Sequence, residues 1–138
     1  MAAPKWLLPV AIVAVLWNLM GLFAFVIDLM ITPELIAALP EADQAIYAAR
    51  PSWMIFGTAL AVIGGTLGSV GLAMKKLWSI KFFVISLVGL VIQDIALVMI
   101  AMEVTLALAV IIMQSVVAIV AIDLWFIARK GGQKGWLV

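Results

Sequence analysis

The chain has 138 residues, 68% of them hydrophobic and 11% charged, with a net charge of +1 and neither cysteine nor histidine. A soluble domain is about 45–50% apolar and about 25% charged, so this composition excludes a water-soluble globule and describes a polytopic membrane protein with little mass outside the bilayer. The missing residue types exclude disulfides, thiolate and imidazole metal sites, thiol nucleophiles and Ser-His-Asp catalysis.

Four apolar runs predict four membrane helices. The first spans 6–31. Pro9 falls in its first turns, where a missing N–H is tolerated. Its apolar core is longer than the roughly 7–15 residues of a cleaved signal peptide, so it reads as a retained helix. Residues 32–52 form the one sizeable polar segment. There Thr32 is placed to cap a short helix with Pro33 in its first position, and Pro40 separates that helix from a second at 41–49. Ile36, Leu39, Ile46 and Tyr47 suit the membrane surface, with Glu34, Glu41, Asp43 and Arg50 in water.

The second helix spans 53–74, starting at an interfacial Trp53. It carries Gly57, Ala61, Gly64, Gly68 and Gly71 in steps of four and three, which places all five on one face. Apolar side chains gain little by leaving lipid for one another, so small residues that permit close backbone approach are what hold membrane helices together. This helix is therefore expected to be the one the others pack against. Lys75, Lys76 and Lys81 surround a tight turn, and the third helix spans 80–102. A single helix over 82–127 would reach roughly 69 Å at 1.5 Å per residue, about twice the hydrocarbon thickness. The chain must turn at Glu103-Val104-Thr105, before a fourth helix at 106–127. The tail 128–138 contains Gly131 and Gly132 and is expected to be flexible, with Trp136 returning it to the interface.

Lys5, Lys75, Lys76, Lys81, Arg129, Lys130 and Lys134 all fall at one end of the four spans, and only Arg50 falls at the other. Short Lys- and Arg-rich segments stay cytoplasmic, which predicts both termini inside and residues 32–52 outside. These cations cap helix ends and form no nucleic-acid patch.

Few polar residues lie within the spans. Ala11, Ala14, Asn18, Gly21, Phe25 and Asp28 share one face of the first helix. Gln93 and Asp94 lie in the third helix and Gln114 in the fourth. Unmet polar groups cost several kcal/mol in hydrocarbon, so Asn18, Gln93, Asp94 and Gln114 are expected to turn inward and meet. One reading makes them a site for a small polar solute, with Asp94 as its ionisable group, because an intramembrane carboxylate is a functional candidate by default. The other makes them interhelical hydrogen bonds alone. Asp28 and Asp123 read as interfacial charges, Asp28 within reach of Arg50 and Asp123 within reach of the basic residues at its end. No arrangement of nucleophile and base, no metal-ligand cluster and no cofactor motif is present, so neither an enzyme nor a cofactor is expected.

Leu16-Trp17-Asn18-Leu19-Met20-Gly21, Pro51-Ser52-Trp53, Gly64-Gly65-Thr66-Leu67-Gly68-Ser69, Lys75-Lys76-Leu77-Trp78, Ser86-Leu87-Val88-Gly89, Ala128-Arg129-Lys130 and Lys134-Gly135-Trp136-Leu137 occur in that order. As a set they resemble a group of small four-helix bacterial inner-membrane proteins that carry the label "sugar transporter". The resemblance implies four spans and the bacterial inner membrane, and it transfers no site residue. The connection between the third and fourth helices is shorter here than in that pattern. The expected protein is thus an all-α, antiparallel four-helix membrane bundle in contact with lipid. It binds or passes a small polar solute such as a sugar, as an oligomer with part of the glycine stripe at a subunit contact. The alternative is a non-catalytic accessory subunit of a larger membrane complex.

Overall fold

A computed structural model describes residues 2–138. It contains six helices: α1 Leu7–Leu29, α2 Pro33–Ala37, α3 Glu41–Ala49, α4 Met54–Ala73, α5 Ser79–Glu103 and α6 Leu108–Gln133. α1, α4, α5 and α6 are each long and apolar enough to cross a membrane, a span that takes about 20 residues. The protein is an all-α multi-pass membrane protein. α1 lies against α4, α4 against α5, and α5 against α6.

The turn between α5 and α6 is short and extended. Val104 (φ −134°, ψ 151°) and Ala107 (φ −63°, ψ 143°) leave helical geometry and send the chain back. No Gly or Pro is needed, because the exposed Glu103 and Thr105 sit beyond the apolar runs on either side.

The closest approach in the fold is between α4 and α5. A Cβ added at Gly64 would lie 2.8 Å from the Phe82 carbonyl oxygen and the Ser86 nitrogen. One at Gly57 would lie 2.8 Å from the Gln93 nitrogen, and one at Gly89 on α5 would lie 2.6 Å from the Gly57 carbonyl oxygen. Gly68 faces the Phe83 ring, and Gly71 faces Trp78 and Ser79. The small-residue face therefore seats α5 of the same chain. That corrects the expectation that part of it meets another subunit. Ser86 Oγ adds a hydrogen bond across this seam, donating to the Ala61 carbonyl at 2.7 Å.

The end of the bundle that holds both termini and the 74–78 turn, here the terminal end, is closed. Leu7, Ala11, Ala14, Leu72, Phe83, Leu124, Ala128 and Leu137 form one buried cluster there, drawn from all four long helices and the tail. The tail is ordered, contrary to expectation. α6 continues through Gly131 and Gly132 to Gln133, then stops in a Schellman turn. Trp136 N–H donates to the Gly131 carbonyl at 2.8 Å and Gly135 N–H to that of Gly132 at 3.3 Å. Gly135 takes φ 71°, which glycine adopts without steric cost. The turn aims Leu137 into the cluster and sets Trp136 edge-on to Trp6, with ring centroids 5.8 Å apart. Val138 then pairs with the 74–78 turn. Its N–H donates to the Lys75 carbonyl at 2.8 Å, and its carbonyl accepts from Leu77 N–H at 3.0 Å. α4 ends in the same kind of turn, with Lys75 as the left-handed residue at φ 57°.

The opposite end, the loop end, is open. The buried residues of α1 are Leu7, Ala11 and Ala14, and those of α6 are Leu124, Ala128 and Gly131. All six lie in the terminal halves of their helices, so α1 and α6 diverge toward the loop end. α2 and α3 sit over this opening. Thr32 Oγ1 caps α2 by accepting from Leu35 N–H at 3.3 Å, with Pro33 at its first position. Gln44 ties α3 back by donating to the Leu39 carbonyl at 2.7 Å.

The glycine contacts generate a paired prediction. Gly64→Ala places a methyl against fixed backbone of α5 and is expected to cost about 1–3 kcal/mol. Gly21→Ala meets only a Val62 methyl at 3.6 Å and is expected to be neutral, or stabilising by up to about 1 kcal/mol through helix propensity. Thermal unfolding of both variants in one detergent checks the contrast.

Candidate functional site

The divergence of α1 and α6 leaves a cavity of about 500 Å³ between the four long helices in the loop half of the bundle. Phe83 and Leu124 line it and also belong to the terminal cluster, so the cavity is blind at that end. Most of its wall is apolar, from residues such as Met20, Phe25, Met54, Met113 and Val117. Each long helix adds at least one polar group: Asn18 from α1, Thr58 from α4, Ser86 and Gln93 from α5, and Gln114 from α6.

The α1 face read from the sequence divides in two. Ala11 and Ala14 are buried in the cluster, whereas Asn18, Gly21, Phe25 and Asp28 line the cavity. Asn18 does not meet Gln93, Asp94 or Gln114, which corrects that expectation. Its Nδ2 donates to the Ala14 carbonyl and to Ser69 Oγ on α4, both at 2.9 Å. Ser69 was the partner that sequence reasoning missed. It follows Gly65 by one helical turn on the side of α4 turned to α1, and its own proton goes to the Gly65 carbonyl at 2.8 Å.

The other three residues do join. Gln93 Nε2 donates to Gln114 Oε1 at 3.4 Å, and Gln114 Nε2 donates to Asp94 Oδ1 at 2.5 Å. Gln93 and Gln114 line the cavity. Asp94 stands behind Gln114 and does not line it. The carboxyl group therefore holds the Gln114 amide and is set back from the cavity wall.

At the mouth, Asp28 accepts from Arg50 Nη1 at 2.9 Å and from the Tyr47 hydroxyl at 2.9 Å. The Arg50 guanidinium also lies 4.5 Å from the Tyr47 ring centroid. Arg50 was expected in water; instead it and Asp28 are each 31% exposed. The pair borders both the main cavity and a second one of about 360 Å³ beneath α2 and α3. It is the one salt bridge among the described residues, and Asp123, expected near basic partners, is exposed and unpaired. Burial raises the Tyr47 phenol above its ordinary value of 10.0. The hydrogen bond to Asp28 and the charge of that carboxylate add to the shift, and Arg50 opposes it.

No protein-family model, curated protein or solved structure matches this chain.

Tyr47 is the sole tyrosine, so its ionisation can be followed alone by near-ultraviolet difference absorbance. A midpoint above pH 10.0 is expected. Asp28→Asn is expected to move the midpoint part of the way down, since burial, the largest cause, remains. A phenol whose pKa is raised on folding holds its proton more tightly when folded. Its stabilising contribution is therefore complete below pH 10 and is lost as pH rises through the folded value.

Proposed function

We propose that this protein binds a small ligand with polar groups in the cavity between α1, α4, α5 and α6, taken up from the loop end. The carrying observation is that a space of about 500 Å³ within the bundle receives a hydrogen-bonding side chain from every long helix. Pockets that bind small molecules share this make-up, a mostly apolar wall with a few placed polar groups. Asn18, Gln93 and Gln114 are the contacting residues, and Asp94 fixes the Gln114 amide.

Seven of the eight Lys and Arg residues lie at the terminal end, which supports a cytoplasmic location for both termini and an outward-facing mouth. The sequence resemblance supports the bacterial inner membrane and makes sugars the first solutes to try. Passage across the membrane requires the terminal cluster around Phe83 and Leu124 to part. Four helices are few for alternating access by a single chain, which usually needs two repeats rocking about the site. Transport, where it occurs, is therefore the work of an oligomer.

The loop half of α6 favours a second reading. From Leu108 to Val116 only Gln114 is sheltered, which leaves an apolar helix face free to take a helix from another subunit. In that case the protein is an accessory subunit of a larger complex. Recovery of a stoichiometric partner after gentle detergent extraction would support this reading.

Binding and uptake by proteoliposomes holding the purified full chain test the proposal. Asn18→Ala and Gln114→Ala are each expected to weaken ligand retention about tenfold, equivalent to about 1.4 kcal/mol. Retention unchanged in both variants would sink the assignment.

A further inference from the structure

Two edges of the cavity face the surrounding acyl chains. Met20 of α1 and Met113 of α6 both line it, yet they are 68% and 58% exposed. At its back, Phe83, Ser86 and Leu90 of α5 line it and are buried. The space is therefore backed by α5 and open sideways between α1 and α6, in the half of the bundle where those helices diverge. All four walls are helices apolar enough to span a membrane, so this side opening gives onto lipid. A void there would forfeit the dispersion contacts that its lining can make. Water entering it would find few partners on a mostly apolar wall.

The second cavity has the complementary character. It holds about 360 Å³ beneath α2 and α3, and it shares Phe25, Asp28, Arg50, Met54 and Thr58 with the first, so the two adjoin. Its wall adds the Tyr47 and Ser52 side chains. A larger apolar chamber thus leads into a smaller polar one at the level of the loop helices, which is the outline of an amphiphile. At the junction the Asp28 carboxylate and the Arg50 guanidinium stand 2.9 Å apart, one charge of each sign. Only Nη1 of Arg50 is engaged by Asp28, which leaves its other N–H groups to a ligand. Such a pair matches a zwitterion. Glu34, Glu41 and Asp43 on the helices above disfavour a head with net negative charge.

We propose that the two cavities together hold one bilayer lipid with a zwitterionic phosphate-ester head. The lipid enters sideways between α1 and α6. One acyl chain fills the space among the four long helices, and the other stays in the bilayer. The head lies under α2 and α3, with its phosphate on the Arg50 N–H groups and its cationic group beside the Asp28 carboxylate. Guanidinium suits phosphate in charge and in donor geometry. Such a lipid needs only the two cavities and the side opening, whichever solute the protein also takes.

The test uses the full chain in phosphatidylcholine nanodiscs that contain a trace of phosphatidylethanolamine with a photoactivatable diazirine in one acyl chain. Labelled residues are mapped by peptide mass spectrometry after illumination. Label is expected on Phe83 or Leu90, which are 2% and 4% exposed and out of reach of a lipid outside the bundle. Ala121→Phe fills the larger cavity from α6, and Thr58→Phe blocks the junction from α4. Each is expected to cut this interior labelling about tenfold, and a phosphatidylglycerol probe is expected to give about tenfold less of it than phosphatidylethanolamine. Labelling of the outward Phe23 and Phe126, 68% and 55% exposed, is expected to stay level throughout and serves as the internal standard. Circular dichroism checks that the variants fold, and the unsubstituted chain decides the matter where they do not. Label confined to outward residues, or interior label that both filled variants leave unchanged, overturns the lipid site. Equal interior labelling by phosphatidylglycerol overturns the zwitterionic head. Solute retention that Asn18→Ala weakens, without interior label, overturns the lipid and leaves the solute site standing.

Discussion

Backbone contact between α4 and α5 is the constraint on which the rest of this bundle depends. In lipid there is little hydrophobic gain to draw two greasy helices together, so dispersion at short range and buried hydrogen bonds must do it. Both require the backbones to come close. Gly57, Gly64 and Gly89 bring them within a distance that a single methyl would prevent, and Ser86 then reaches the Ala61 carbonyl across the seam. α4 and α5 form the most closely packed pair, with α1 against α4 and α6 against α5.

That attachment is uneven along the membrane normal. At the terminal end, alanines at positions 11, 14 and 128 let α1 and α6 close over Leu72 and Phe83, and the tail adds Leu137 from below. Toward the loop end the residues of α1 and α6 that face inward become amides, an acid and medium-sized apolar groups, and the helices part. The result is a chamber with a dense floor and a mouth held by an ion pair. A partly exposed pair such as Asp28–Arg50 contributes only about 0–1 kcal/mol. The mouth is therefore held far more weakly than the floor.

The polar residues within the spans tie the helices to one another. Asn18, Ser69, Gln114 and Asp94 hold helices together through bonds that each contribute modestly, about 0.6 kcal/mol on average. A substitution at Asn18 therefore removes a bond between α1 and α4.

Much of this was legible in the sequence. The apolar runs set four spans, because hydrocarbon thickness fixes helix length. The glycine period set which face of α4 is buried, because a helix repeats every 3.6 residues. Thr32-Pro33 marked the start of α2 through local capping chemistry. The sequence did not reveal which neighbour fills the glycine face, since any helix with a matching surface would serve, and it left Asn18 free to choose between Ser69 on α4 and the glutamines of α5 and α6. The ordered tail was also hidden, because two adjacent glycines read as flexible until Leu137 finds a buried place that holds them. Local pattern, governed by the solvent and the helix repeat, determined what the elements are and which faces are polar. Packing decided where α1 and α6 separate, and hence that there is a cavity at all, because the space between helices depends on pairs of residues that lie far apart in the chain.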